Sequence, residues 1–484
     1  MPRHPFRCSP DQQVICAGLD RLRTELEIPA GFPDDVMAEA HEAAARGPKV
    51  PPGSATTTVK DRTDIELVTI DPPGSMDLDQ AVFIAPHEGG WRVNYAIADV
   101  AAWVSPGGAI DRESQARGLT MYSPDGTAPL HPHPISEDAS SLLAGQDRQS
   151  LLWTIDLDDE GALREACLER AVVRSRAQLT YADAAKIIET EPDSPLQALR
   201  EVGLRREELE ARRGAVSLQL ASQEVKATDG GFVLDYDESL PVEGWNAQIS
   251  LLTGIAAAEI MLDGRVGLLR TLPPPDDRTI RELRQIARAL DVDWPKSSSY
   301  AEIVRSLDPN EPMQAALIAQ SARGLRGAGY EAFDGELPKQ TAHSAIAANY
   351  AHVTAPLRRL GDRYANESVL SILAGVRPPD WTIEALPELP KILGRARNRE
   401  GSLDRAVFDL VEAALLLDRV GETFSGLVTN VDEKKGRVRV QLTDPAVVAY
   451  ADGSAELGEL VSVSLLDANV DERRVRFSLV ETAS

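Results

Sequence analysis

The stretch DPPGSMDLDQA, residues 71–81, places three carboxylates, Asp71, Asp77 and Asp79, in one short loop. Pro72 and Pro73 stiffen that loop and Gly74 loosens it. Carboxylates this close repel one another, and a hard divalent cation is a common remedy; the other reading is an acidic, solvated turn. The flanking runs DIELVTID (64–71) and QAVFIA (80–85) are rich in β-branched residues and alternate in polarity, so the loop joins two strands. If residues 77–80 are extended, Asp77 and Asp79 point the same way, because strand side chains alternate. Asp71 ends the preceding strand, and the turn can return it toward the pair. Such an oxygen-rich site suits Mg²⁺ or Mn²⁺, which keep water and substrate phosphate as further ligands.

Working outward, HEGG (87–90) reads as a hairpin turn into WRVNYAIADVAAWV, and SLLWTIDLDDEGALREACLERAVVRSR (150–176) reads as a further strand pair turning at Asp159–Gly161. Residues 181–420 carry mostly helical periodicity, as in LQALREVGLRREELEARR and RTIRELRQIARAL. From Phe424 the pattern changes to five short strands with tight turns. That suits a small OB-type barrel that binds single-stranded nucleic acid, or equally a plain β appendage. Before the loop, residues 11–46 suggest two helices and PKVPPGSATTT (48–58) a linker. The expected class is α+β, in three parts: a helical N-terminal region with linker (1–58), a β-rich core wrapped by helices (59–420) and the barrel (421–484).

Composition narrows the function classes. The chain has 484 residues, 43% of them hydrophobic and 26% charged, as in ordinary globular proteins. A formal net charge of −25 argues against indiscriminate adhesion to nucleic acid, which needs a cationic surface, but leaves room for a local basic groove. No apolar run approaches a membrane span and no secretory signal is visible. Three cysteines match no zinc motif, and their odd number fits a reducing cytoplasm. Basic residues cluster in LERAVVRSR (168–176), APLRRLGDR (355–363) and RARNREGSLDR (395–405); on charge alone these read as solvated helix faces.

A phosphate site needs cations, and YAHVTAPLRRLGDRYANESV (350–369) offers them. Pro356 reads as a first helical residue, which puts Arg358 and Arg359 in a first turn whose N–H groups favour anions. Guanidinium groups hold phosphate oxygens in a fixed fork. The competing expectation is surface decoration, with Arg358 paired to Asp362 and Arg363 to Glu367.

Taken together, TIDPPGSMDLDQAV and HVTAPLRRLGD resemble the catalytic domain of the ribonuclease II (RNB) exoribonucleases. A third block, YSPDGTAPLHPHPISEDASSLLAG (122–145), resembles that family's tyrosine, Pro-x-x-Pro and Ser-Leu segment, and the three occur in family order. The resemblance spans about residues 60–484 and implies roles position by position. Asp71, Asp77 and Asp79 match three of four acidic positions around a metal, with Asp79 the one most closely tied to catalysis. Arg358 matches the arginine on the scissile phosphate, with Arg359 beside it among the RNA contacts. Tyr122 matches a tyrosine beside the 3′-terminal nucleotide, Tyr181 a second RNA-contacting tyrosine, and Asp404 a position that often holds Glu.

Three departures stand out. Gln80 occupies the fourth acidic position and brings an amide oxygen without charge. The N-terminal region is too short and too helical for a pair of cold-shock barrels. AQISLLTGIAAAE lacks the acidic pair and Met of the corresponding family helix. The resemblance implies a cytoplasmic, monomeric, Mg²⁺- or Mn²⁺-dependent 3′→5′ exoribonuclease on single-stranded RNA, with no organic cofactor and no membrane. The rival is an RNA-binding protein on the same scaffold, its catalysis weak or lost through Gln80.

Overall fold

The computed structural model describes residues 13–55, 58–216, 218, 223–228, 231–236 and 239–480. Two helices open it. α1 (Gln13–Glu25) buries Ile15, Leu19 and Leu22, a stripe at helical spacing. α2 (Asp34–Arg46) starts on the acidic pair Asp34 and Asp35, which complement the N-terminal dipole, and stops at Gly47.

β1 (Lys60–Asp61), β2 (Val68–Asp71), β3 (Gln80–His87) and β4 (Gly90–Ala98) follow. Helix α3 (Ala109–Arg117) and a small hairpin, β5 (Met121–Ser123) and β6 (Gly126–Ala128), come next, then β7 (Asp147–Leu157), β8 (Leu163–Arg174) and β9 (Ala177–Thr180). Seven of these strands form one sheet in the order β1-β8-β7-β4-β3-β2-β9. Its centre is antiparallel. β2 meets β3 only at Val68↔Val82 and otherwise runs parallel to β9, so the sheet splays where the acidic loop leaves it. Val93, Tyr95, Trp153 and Ile155 are among the sheet residues of the main core.

Helices α4 (Tyr181–Thr190), α5 (Leu196–Arg213) and α6 (Pro241–Gly264) cover this face, with the hairpin β10 (Gln223–Thr228) and β11 (Gly231–Tyr236) between α5 and α6. β12 (Val266–Thr271) pairs with β13 (Gly329–Asp334) across an excursion of three helices, α7 (Asp277–Ala289), α8 (Tyr300–Ser306) and α9 (Pro312–Ser321). The short β14 (Ala342–His343) and β15 (Ala348–Asn349) lead to α10 (Leu360–Leu373), α11 (Asp380–Ala385) and the long α12 (Leu389–Leu416). The chain ends in a closed five-stranded barrel, β16 (Thr423–Asp432), β17 (Arg437–Leu442), β18 (Val448–Asp452), β19 (Leu460–Asn469) and β20 (Arg474–Leu479), ordered β16-β17-β18-β20-β19. The class is therefore α+β with a C-terminal barrel. Among the described residues no helix is long and apolar enough to cross a membrane.

One core joins the ends of the chain. Leu19 and Leu22 of α1, Leu410 of α12, Phe232 and Leu234 of β11 and the barrel interior form a single apolar cluster. Gly18 permits the close approach of α1 to α12: a Cβ there would lie 2.6 Å from Leu410 Cδ1. The run 168–176 follows the strand expected from its pattern and not the solvated helix face suggested by its charge. Leu168–Arg174 belong to β8, and Arg170 is fully buried, bonded through Nε to Asp99 (2.9 Å) and through an Nη to Glu367 (2.6 Å). A buried guanidinium persists only with such partners.

Candidate active site

β2 ends at Asp71, and Gly74, at φ +78°, turns the chain back in a conformation that favours glycine. Ser141 then fixes the loop: its Oγ donates to Met76 O (2.6 Å) and accepts from Leu78 N–H (3.0 Å). Asp79 O accepts from Ala98 N–H (2.9 Å), so the chain joins the sheet one residue before β3. Leu78 is fully buried in an apolar cluster, and its neighbours turn the other way, as alternation requires. Asp71, Asp77, Asp79, Tyr122, Glu137 and Arg358 line one cleft of about 230 Å³.

The arginine segment differs from its expected form. α10 starts at Leu360, not at Pro356, and Arg358 sits in a turn ahead of the helix. Arg359 is extended (φ −132°, ψ 119°) and bridges Leu119, which separates the turn from α10, while Leu357 N–H donates to Asp79 Oδ1 (2.8 Å) and Ala355 N–H to Asp362 Oδ2 (2.8 Å). Arg358 Nε lies 3.3 Å from Asp79 Oδ2, with half the side chain exposed toward the cleft. The expected surface pairs are not formed. Asp362 holds Arg359 (2.8 Å), Arg363 is buried against Asp111 (2.6 Å), and Glu367 serves Arg170.

Burial raises the Asp79 carboxyl to about 8 against the pull of Arg358, and raises Asp71 to about 6 by the same opposition with Asp77 adding repulsion. Oδ2 of Asp71 is buried and, among the described residues, has no hydrogen-bond partner of ordinary geometry. An under-neutralised set of hard oxygens with an orphaned carboxylate atom fits a divalent cation in donor type. The groups are not gathered into a ready-made cage: among the described residues no three His, Cys, Asp or Glu side chains converge closely enough to hold a metal ion as they stand.

The other expected residues are more scattered. Tyr122 lies at the cleft on β5, its hydroxyl 3.4 Å from Asp77 Oδ2 and 45% of the residue exposed. Gln80 does not line the cleft; its Nε2 donates to Thr354 O. Arg359 is turned from the cleft onto Asp362 and Thr354. Tyr181 opens α4, packs on the main core and hydrogen-bonds Asn246, while Asp404 is exposed on α12 near Arg397 and Arg405. Sequence reasoning missed Glu137, Ser141 and His131, and gave Asp362 the wrong arginine. His131 is buried, pushed down to about 3 and so neutral, and donates to Pro356 O beneath the arginine turn. Only Ser141 carried a signal, as part of the Ser-Leu block.

A second surface lies on the barrel. Arg437, Arg439, Tyr450, Arg473 and Arg476 line a groove of about 490 Å³ against α12, and the Arg437 guanidinium stacks 3.8 Å from the Tyr450 ring centroid. Ion pairs such as Arg476–Asp452 (3.2 Å) temper its charge.

Residues 59–375 match the RNB domain family, and residues 422–480 the RNase II-type exonuclease C-terminal S1 domain. Ribonuclease R of Escherichia coli is 26% identical over 519 residues, covering 95% of this chain. The chain spans only 62% of that relative's length. The structure of Mycoplasma genitalium RNase R in complex with ribose methylated single-stranded RNA is similar at a TM-score of 0.84 and 17% identity, covering 96% of this chain and 78% of that one. Yeast Ssd1, described as a pseudonuclease, is similar at a TM-score of 0.73 and 14% identity, covering 92% of this chain and 56% of that one.

Proposed function

The chain belongs to the RNB family, and from that premise we propose that it is a metal-dependent exoribonuclease that removes nucleotides from the 3′ end of single-stranded RNA and releases nucleoside 5′-monophosphates. The observation that carries this reading is the single cleft in which Asp71, Asp77, Asp79, Tyr122 and Arg358 meet. Asp71, Asp77 and Asp79 would hold the cation, Mg²⁺ or Mn²⁺, which supplies charge for the phosphate and a water of lowered pKa. Asp79 forms the buried floor, oriented by Leu357 N–H. Arg358 faces the cleft with a planar fork that matches two phosphate oxygens and stabilises the charge developing on them. The half-exposed Tyr122 ring offers the terminal base a stacking surface, and the arginine- and tyrosine-lined barrel groove offers the trailing strand a second one.

Two observations favour a second reading, an RNA-binding protein with weak or lost catalysis. The cleft carboxylates are not gathered as a metal cage, and Gln80 is engaged elsewhere. Purified protein incubated with 5′-end-labelled single-stranded RNA and Mg²⁺ or Mn²⁺ separates the two. Stepwise shortening from the 3′ end with mononucleotide release supports the nuclease. Retarded but intact RNA with either metal overturns it in favour of the binding protein.

A further inference from the structure

Within the mostly buried turn from Val353 to Arg358, Ala355 O accepts from Arg358 and Arg359 N–H (3.2 and 2.9 Å), and the rest of its backbone looks outside the turn for partners. Other elements supply the partners. Asn366 Nδ2 donates to Val353 O (2.7 Å), Ala355 N–H to Asp362 Oδ2 (2.8 Å), Leu357 N–H to Asp79 Oδ1 (2.8 Å), and Thr120 N–H to Arg358 O (2.9 Å). Two further carbonyls of the turn take side-chain donors: Pro356 O accepts from His131 and Thr354 O from Gln80 Nε2. Two consecutive residues of the acidic strand thus grip the turn at both ends: Asp79 at Leu357, Gln80 at Thr354.

We propose that Gln80 is a positioning residue for Arg358 and not a ligand in the cleft. A carbonyl oxygen only accepts, so the amide must present its NH₂ end to Thr354. An ionised Asp or Glu at this position has no proton to give and would face the carbonyl with like partial charge. What the position demands is a donor long enough to reach the turn. Thr354 is buried, so loss of that donor leaves an unpaired carbonyl in the turn that carries Arg358. The turn then relaxes, and the guanidinium loses its fixed approach to Asp79 and to the cleft. This assignment rests on the phosphate-holding role given to Arg358 above.

The test uses the full chain with Gln80→Leu, which removes donor and ligand together, and Gln80→Glu, which keeps the length, adds charge and removes the donor. Three quantities are measured: Mn²⁺ affinity of the RNA-free protein, hydrogen exchange of the peptide spanning 353–358, and kcat and KM on a single-stranded oligomer. For Gln80→Leu we expect Mn²⁺ affinity within about twofold of wild type, exchange faster by about tenfold, and kcat lower by about tenfold with KM nearly unchanged. In an Arg358→Lys background the same change should cost less than about twofold more, because the residue acts through Arg358. Gln80→Glu should reproduce the faster exchange and covers the case in which the leucine variant does not fold. A tenfold loss of Mn²⁺ affinity in Gln80→Leu with unchanged exchange overturns the proposal in favour of a ligand. So does tighter Mn²⁺ binding in Gln80→Glu with unchanged exchange. The exchange and Mn²⁺ measurements need no turnover, so they stay decisive even if the protein binds RNA without cutting it.

Discussion

Asp79 is 2% exposed, and both of its oxygens are engaged, one by Leu357 N–H and one by Arg358. Asp79→Asn keeps an acceptor for the N–H and removes the charge at the reaction centre. Turnover should fall by about 10²–10³-fold while RNA affinity changes little; a variant that degrades RNA at the wild-type rate would remove Asp79 from the site. Arg358→Lys keeps the charge and loses the fork, so kcat should fall by about tenfold or more with a smaller change in RNA affinity. An unchanged kcat with weakened affinity would make Arg358 a capture residue only. These positions were legible because strand alternation and the arginine run both act locally. Gln80 was not: whether an amide faces a metal or a carbonyl depends on Thr354, a residue far along the chain. The same holds for Asp362, which looked like a surface partner for Arg358 and instead clamps Arg359 and caps the turn.

Elements were legible where their period was unbroken. The helices α1, α2, α5 and α7 and the barrel strands follow their apolar spacing. The region 181–420 hid β12, because VGLLRT is buried at every position, Arg270 included, and so shows no alternation of polar and apolar residues. Pro356 opens a single turn, but Arg359 is extended (φ −132°, ψ 119°) and bridges Leu119, so the helix cannot continue until Leu360. α1 lies outside the cleft but touches the hairpin that borders it. Arg23 bonds Ser123 Oγ (2.9 Å) and pairs with Asp125 on the hairpin that carries Tyr122, while Arg473 of the barrel reaches Glu25 (2.7 Å). Arg23→Ala should therefore raise KM for short oligomers by about three- to tenfold at near-constant kcat, since a partly exposed ion pair contributes about 1 kcal/mol. Restoration by the swapped pair Arg23→Asp with Asp125→Arg would tie the effect to this contact; a KM equal to wild type in Arg23→Ala would show that the hairpin holds itself.

At the scale of the whole molecule the barrel and the catalytic core are coupled through buried contacts. Gln223 of β10 and Val448 N–H of β18 both donate to the same oxygen of Glu412 on α12, at 2.8 and 3.1 Å. Glu412 is 4% exposed, and burial pushes its carboxyl up to about 7 from an ordinary 4.5, only partly offset by those two bonds. The sign follows from proton counting. Between about pH 4.5 and 7 the folded protein holds a proton that the unfolded chain has released, so this group's contribution to stability declines as pH rises through that window and is level above it. The full span corresponds to about 3 kcal/mol, an upper figure. Glu412→Gln keeps an oxygen that can accept both bonds and removes the titration. Denaturant unfolding at pH 5, 6, 7 and 8 should then show the variant close to wild type at the acid end and progressively more stable than wild type toward pH 7, with no further gain at pH 8. Parallel stability profiles for the two proteins would mean that Glu412 is ionised throughout and that its two hydrogen bonds outweigh its burial.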